Sequence, residues 1–592
     1  MFALGILAVL QLAALPGLLL TARVRFESAT LRALAVFATS LLANYALVLL
    51  LAFVGQYGAG TVKGVIACEV LALVWLAWKG KLQREIAPCE VPPLDGRSSA
   101  QAFALAITLG AIFVHCWLWS AEWGKVFQAY DAVASWNRWA VAWAQGGMPR
   151  DTATYPQLMP IAWSLVYRIV GGVEGELFCR MLMGVFPLLI LVGMLVLQER
   201  LRKPWLAVGS VAASVLLHLI AEGNRFDGMA DVPAAALGFL GVCFLILARE
   251  SAQKEEGAAS LLLAAVCLAA ACAAKQAGLM VAVLALIWAL TDPRIWAVAR
   301  ASRSTAFWAF VLVVVGAAHW QVVGAVVARL QQDSHLVTYL VHDMHEGRSL
   351  WQRLLHGVAQ LQHALRPMGM LSPALLACVL SSVGTALGRR VLLHLAVPTF
   401  LVWGFAFSYD MRNLAAAIPL AALAAGCGAQ ALAGWGGALM QKLHAWRAWP
   451  RCRPWLAPAT VLTVFLAAIQ VPDTSFIAGH RTGRRRAGDE DMNRAVAKSM
   501  QKDDTTLSAY QLLTIQPGIG KRVVHQPTPL VSDATALAAL KGFRWLVVES
   551  RLPSADDAVR QRLLSEGRLR ETARTASWVL YEITEPKGTA KP

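Results

Sequence analysis

The chain has 592 residues, 57% of them hydrophobic and only 15% charged, with a formal net charge of +17 and a mean hydropathy of +0.54. Apolar runs of about 18 residues or more recur along it, the length that crosses a bilayer, which excludes an ordinary soluble fold. The basic residues lie mostly in short loops between those runs, the positive-inside pattern of a membrane protein, so nucleic acid is not an expected partner.

The first run, "LGILAVLQLAALPGLLL", lacks a basic leader and a clear cleavage site and reads as a retained first helix. Further spans follow at 32–53, 60–78, 102–121, 178–198, 205–221, 230–248 and 258–274. They continue at 276–291, 306–328, 369–387, 390–407, 413–434 and 455–472, giving about fourteen transmembrane helices. Two long interruptions, 122–177 and 329–368, are polar and rich in Trp or His. Loops carrying Arg23 and Arg25, Lys79 and Lys81, Arg200 to Lys203, Arg294 to Arg303, and Arg389 and Arg390 all fall on one side when spans are counted alternately, and that side is cytoplasmic. Both interruptions and the loop "EGNRFDGMAD" then face the periplasm of a bacterial inner membrane.

The chain divides into N-terminal transmembrane helices (1–101), a transmembrane core with its external loops (102–434), a last cytoplasmic loop and final helix (435–472), and a periplasmic domain (473–592). In that last domain "MNRAVAKSM" and "DAVRQRLLSEG" have helical spacing. "RWLVVES" and "SWVLYEI" are β-rich, so a small α/β domain is expected. The "GHRTGRRRAG" stretch at its start is in conflict with its placement outside. The cysteines fall singly and form no Cys-x-x-Cys pair, against a disulfide framework or a zinc site.

Four stretches could carry chemistry. In "YDAVASWNRWAVAWAQGG", regular helical spacing puts Asp131, Ser135, Arg138 and Gln145 in one stripe and Trp136, Trp139 and Trp143 in the next. Such a helix suits the membrane–water interface, lying flat. Asp131 is then either its N-cap or an acid aimed into a cavity. In "NRFDGMADVP", Asp227 and Asp231 lie four residues apart beside Arg225; Asp231 ahead of Pro233 is also a good helix start, but capping needs only one acid. In "CAAKQAGL", Lys275 stands between two apolar runs, where a cation is costly unless it meets protein, water or an anion, or snorkels to the headgroups. In "SYDMRNLAAAIPL", Asp410 and Arg412 stand at a span's outer end, and Arg412 has the fork geometry of a phosphate ligand.

The order of these elements resembles the GT-C superfamily of membrane glycosyltransferases, which includes bacterial protein O-mannosyltransferases and lipid A aminoarabinose transferases. The likeness rests on the Asp loop after an early span, "YPQLMPIAWSLVYRIVGG" and Arg180, "D-x-x-x-D-x-P", "K-x-x-G-L" and "R-N-L-x-x-x-I-P-L", over about residues 100–430. The chain departs from it in having about three spans before the first large loop and a single acid at that loop's core. The resemblance implies a polyprenyl-phosphate-sugar donor arriving from the membrane lipids. It also implies a glycan, lipid or protein acceptor of the cell envelope, and inversion at the sugar. By resemblance Asp131, with Asp231 and Asp227, supplies the catalytic carboxylates. Lys275 and Arg412, with Arg225, would receive the donor phosphate. Arg138, Trp136 and Tyr155 would line the acceptor or the interface.

Other signals are weaker. His335, His342 and His345, with Asp343 and Glu346, keep a divalent cation open as a cofactor, although such spacing without a further fixed ligand is usually coincidence and an amphipathic external helix explains it. No other cofactor is called for. The acids at 489–491 suit a helix start. Glu69 in the third run has no assigned role. The residues alone also leave open a transporter or flippase, or an O-antigen-ligase-like enzyme using Arg348, Arg353 and the nearby histidines. A transporter would favour internal repeats and broken helices, and no clear repeat is visible.

Overall fold

A computed structural model describes residues 2–81, 99–331 and 348–442, except 128, 130, 150–151, 153–154, 173–174 and 222–224. It also describes 485–584, except 502, 511–512, 514–518, 520–521, 527–528, 531–539 and 551–553. The expected span 455–472 and the three loop histidines lie outside these residues.

The N-terminal part consists of α1 (Phe2–Ala13), α2 (Leu15–Leu20), α3 (Ala29–Phe53) and α4 (Ala59–Trp78), followed by α5 (Ser99–Ser120). The first interruption is largely helical: a π-turn (Ala132–Asn137) runs into α6 (Arg138–Ala144), and α7 (Leu158–Val170) follows. Next come α8 (Gly175–Met183), α9 (Val185–Leu201), α10 (Leu206–Ala221), α11 (Asp231–Glu250), α12 (Lys254–Ala274), α13 (Gln276–Thr291), α14 (Pro293–Ala301) and α15 (Arg303–Gln331). The core ends with α16 (Leu350–Leu365), α17 (Leu371–Ser381), α18 (Ala386–Arg390), α19 (Val397–Val402) and α20 (Ile418–Lys442).

Among the described residues, nine helices are long and apolar enough to cross a membrane, or eleven if two bent pairs each count as one span. The chain is therefore a multi-pass membrane protein. The gap to fourteen has specific causes. The helix at 206–221 is apolar but short, the expected span 306–328 lies within the 29-residue α15, and 455–472 lies outside the described residues. The expected span 369–387 is instead the second arm of a pair bent by 117° whose first arm is 350–368. The end of the second interruption is thus helix and not loop. Its capping box, Ser349 with Gln352, and its amphipathic sequence account for that.

The core is centred on α11, 94% of whose apolar window is buried, whereas α4 at 11% lies at the margin. Small residues set the spacing. A Cβ on Gly241 would stand 2.6 Å from Leu268, so α11 and α12 approach closely. Between α12 and α13 the chain breaks at Lys275, whose φ of −161° and ψ of 159° are extended. Helix α13 restarts against α12 because a Cβ on Gly278 would lie 2.0 Å from the Ala271 carbonyl oxygen.

Ion pairs sort the two ends of the bundle. Arg200 pairs with Glu27 and, at 3.5 Å, with Glu256, and Arg249 and Arg390 meet on Asp292. The basic loops around Arg25, Arg200, Arg294 and Arg390 therefore share one end.

The C-terminal part is the expected α/β unit: α21 (Arg485–Ser499), α22 (Ser554–Ser565) and a five-stranded sheet. The strands are β1 (Thr506–Ser508), β2 (Val523–His525), β3 (Trp545–Glu549), β4 (Leu569–Arg574) and β5 (Trp578–Ile583), in the order β2-β1-β3-β5-β4. Strand β1 is parallel to β2 and β3, while β5 is antiparallel to β3 and β4. Both faces are covered, one by Met492 and Val496 of α21, the other by Leu563 of α22. The acids at 489–491 lie inside α21 and not at its start.

Replacing Gly278 by Ala should lower the melting temperature of the detergent-purified protein, since overpacking against backbone costs about 1–3 kcal/mol. Gly434→Ala, with nothing within 4 Å of the added carbon, should leave it unchanged. Equal effects at both positions would contradict this account of the break.

Candidate functional site

Four elements converge at the end of the bundle away from the basic loops: the π-turn before α6, the start of α11, the α12–α13 break, and the turn into α20. Asp131 occupies the cap position of the π-turn but accepts no backbone N–H. Its carboxylate instead accepts a 2.9 Å hydrogen bond from Arg412 Nη2. The capping reading of Asp131 therefore fails.

Arg412 is fixed by its own loop. Asp410, in extended conformation, accepts the Arg412 backbone N–H at 2.9 Å and the guanidinium Nε at 2.8 Å, with Nη2 on the same oxygen. Burial alone would raise the Asp410 carboxyl, but the hydrogen bonds and charge of Arg412 outweigh it and hold it below the usual carboxylate range. The seven-residue 3-10 segment Met411–Ala417 carries Arg412 and Asn413 into α20, a longer run of that kind than is common.

Lys275 reaches out from the helix break to Asp231, with which it forms an ion pair, and to Asn413 Oδ1 at 3.1 Å. The two side chains are 14% and 5% exposed. Removing either partner would leave a buried charge uncompensated, which costs about 3–5 kcal/mol. This explains how a lysine stands between two apolar helices. It does not snorkel to headgroups; it meets a carboxylate inside the protein.

Tyr155 joins the same group. Burial pushes its phenol up, and the negative charges of Asp231 and Asp131 add to that. Its ring lies 5.7 Å from that of Trp136 and 5.8 Å from that of Trp139. Trp136, Trp139 and Trp143 are 4%, 5% and 3% exposed, so the Trp stripe is a wall within the protein and not a belt on the membrane surface. The π-turn also shifts Asp131 out of phase with α6, which breaks the single polar stripe that regular helical spacing predicts. Arg138 opens α6 and is half-buried.

Asp227 and Arg225 lie in the neighbouring loop with different partners. Asp227 pairs with Arg180 Nη1 at 3.0 Å and accepts the Ala129 N–H at 2.5 Å, which ties the loop before α11 to the chain leading into Asp131. Arg180 also bonds Glu122 at 2.7 Å, and Glu176 accepts the Phe127 N–H at 3.0 Å. Arg225 is 5% exposed, with its guanidinium 4.7 Å from the Phe226 ring, and burial lowers it to about 10. The structure thus unites Asp131, Asp231, Lys275, Arg412 and Tyr155, and sets Asp227 and Arg225 beside them.

Sequence reading does not single out Asn413, Glu122 or Glu176. Asn413 has a signal, its place next to Arg412 in "RNL"; the two glutamates have none. Among the described residues no group of three or more His, Cys, Asp or Glu side chains could hold a metal ion.

The chain is similar to the crystal structure of ArnT from Cupriavidus metallidurans in the apo state, at a TM-score of 0.52 and 12% identity, covering 80% of this chain and 97% of that one. No protein-family model and no curated protein matches the sequence.

The Asp410–Arg412 interaction gives a pH prediction. A carboxyl depressed in the folded state contributes stability above the unfolded value of about 3.9, and that stability is lost as pH falls through the lower folded value. The melting-temperature gap between wild type and Asp410→Asn should be widest above about pH 4 and close on acidification. A gap that stays constant would contradict the assignment.

Proposed function

We propose that the chain is a membrane glycosyltransferase that transfers a sugar from a polyprenyl-phosphate-linked donor to a hydroxyl of a cell-envelope glycan, lipid or protein. It works at the periplasmic face of a bacterial inner membrane and inverts the anomeric configuration. The observation that carries this reading is the pairing of two carboxylates with two cations, Asp131 with Arg412 and Asp231 with Lys275, at one end of a GT-C-type bundle.

The chemistry follows from the charges. The acceptor oxygen attacks the anomeric carbon as its proton passes to Asp131. The carbon–oxygen bond to phosphate breaks, and the phosphate leaves with the electron pair toward Lys275 and Arg412, whose fixed charges favour it most in the transition state. Arrival of the donor phosphate draws Arg412 away from Asp131, which frees that carboxylate to act as base only when donor is bound. Asp410 and Asp231 keep the cations in place during this exchange. The basic loops at the opposite end of the bundle support the periplasmic placement through the positive-inside rule. The buried Trp wall holds Tyr155 in place beside the two carboxylates.

The test uses purified full-length protein in nanodiscs with a panel of radiolabelled polyprenyl-phosphate sugars, scoring transfer and slow hydrolysis. One donor should be consumed, and Asp131→Asn should slow that reaction at least about a hundredfold while donor binding persists. Consumption of no donor, or full activity in Asp131→Asn, would refute the reading.

A further inference from the structure

At the end of the bundle opposite the carboxylates lies a second feature that glycosyl transfer does not use. Helix α11 carries Asp231 at its first residue and ends at Glu250, so the two ends stand about 30 Å apart. Near Glu250, helices α11 to α15 enclose a cavity of about 310 Å³, lined among others by Leu245, Leu261, Leu268, Leu290, Trp296 and Phe310. Its lining residues are all apolar. A space of that kind stays dry or holds an apolar ligand, and its size is at the lower end for ligand pockets.

Its rim is a built structure. Helix α14 turns 82° from α13 and lines the cavity through Ile295, Trp296 and Ala299. Asp292, fully buried at the bend, accepts the Arg294 N–H at 2.9 Å and binds Arg249 Nε at 3.0 Å together with Arg390. Ile295, 1% exposed, faces inward. The other face of the turn is basic. Arg294 is exposed and meets Glu250 at 3.4 Å; Arg300 lies over the Trp296 ring at 5.4 Å; and Arg303 is exposed at the start of α15. No acid occurs between 293 and 332. Trp296, Phe307 and Trp308 are 40%, 59% and 58% exposed beside these cations, as side chains at a headgroup layer are.

We propose that this is a binding site for one anionic phospholipid, with an acyl chain in the cavity and the phosphate held across Arg294, Arg300 and Arg303. An apolar slot beneath a cluster of arginines fits a molecule that joins a hydrocarbon chain to an anion, and Trp296 lies between the two parts. A polyprenyl chain whose phosphate sits on Lys275 and Arg412 begins at the other end of the bundle and offers nothing to these arginines. Occupancy fixes the far end of α13, the helix that begins directly after Lys275.

The test places full-length protein in phosphatidylcholine nanodiscs containing phosphatidylglycerol with a photoreactive acyl chain, and maps the crosslinks by peptide mass spectrometry. Label should fall on peptides of α12 to α15. The Arg294→Gln, Arg300→Gln and Arg303→Gln triple variant should reduce it at least tenfold, since each Arg at an anionic surface is worth about fivefold. Ala306→Trp, which fills the cavity, should also remove it. Equal labelling by photoreactive phosphatidylcholine, competition by polyprenyl phosphate, or label that persists in both variants would overturn the proposal.

Discussion

The structure turns on one constraint: a charge at the rim of an apolar helix bundle must be paired there or be exchanged for a ligand. Lys275 exists in its position because Asp231 opens α11 opposite it and Asn413 supplies a second oxygen. Arg412 is held in the same way by Asp410 and Asp131. Each cation thus carries a protein carboxylate, which under the proposed function holds the place of the donor phosphate. The desolvation cost of the cations is met by these pairs within the fold.

The backbone features that allow this are local. At the break Lys275 reaches Asp231 and Asn413, and Gly278 lets the chain resume without moving α12. The π-turn at Ala132–Asn137 and the 3-10 turn at Met411–Ala417 rotate Asp131 and Arg412 toward each other from elements 281 residues apart in sequence. Irregular turns of this kind recur where a side chain has to be re-aimed.

Much of this was legible in the sequence, for a physical reason. In an apolar background a single ionisable residue is costly, so Lys275, Asp231, Asp131 and Arg412 stand out without any knowledge of their partners. That the chain crosses a membrane many times was legible too, because the length and apolarity of the runs alone specify it. The Trp stripe was not read correctly. Spacing identifies the face that Trp136, Trp139 and Trp143 share but not what covers it, and Tyr155 with α7 covers it. Likewise the Glu122–Arg180–Asp227 chain joins residues 58 and 47 positions apart, and no local pattern encodes such a contact. The bend at 350–384 was missed because an apolar run reads as a straight span whether or not it turns.

Polyprenyl phosphate without a sugar tests the role proposed for Lys275 and Arg412 most directly. Binding of that lipid to the full-length protein in nanodiscs should weaken at least tenfold in Lys275→Met and in Arg412→Met, about what a charge-assisted hydrogen bond contributes. It should hold or tighten in Asp231→Asn, which keeps the cation and removes its competitor. Unchanged affinity in both cation variants would show that these charges serve the fold alone.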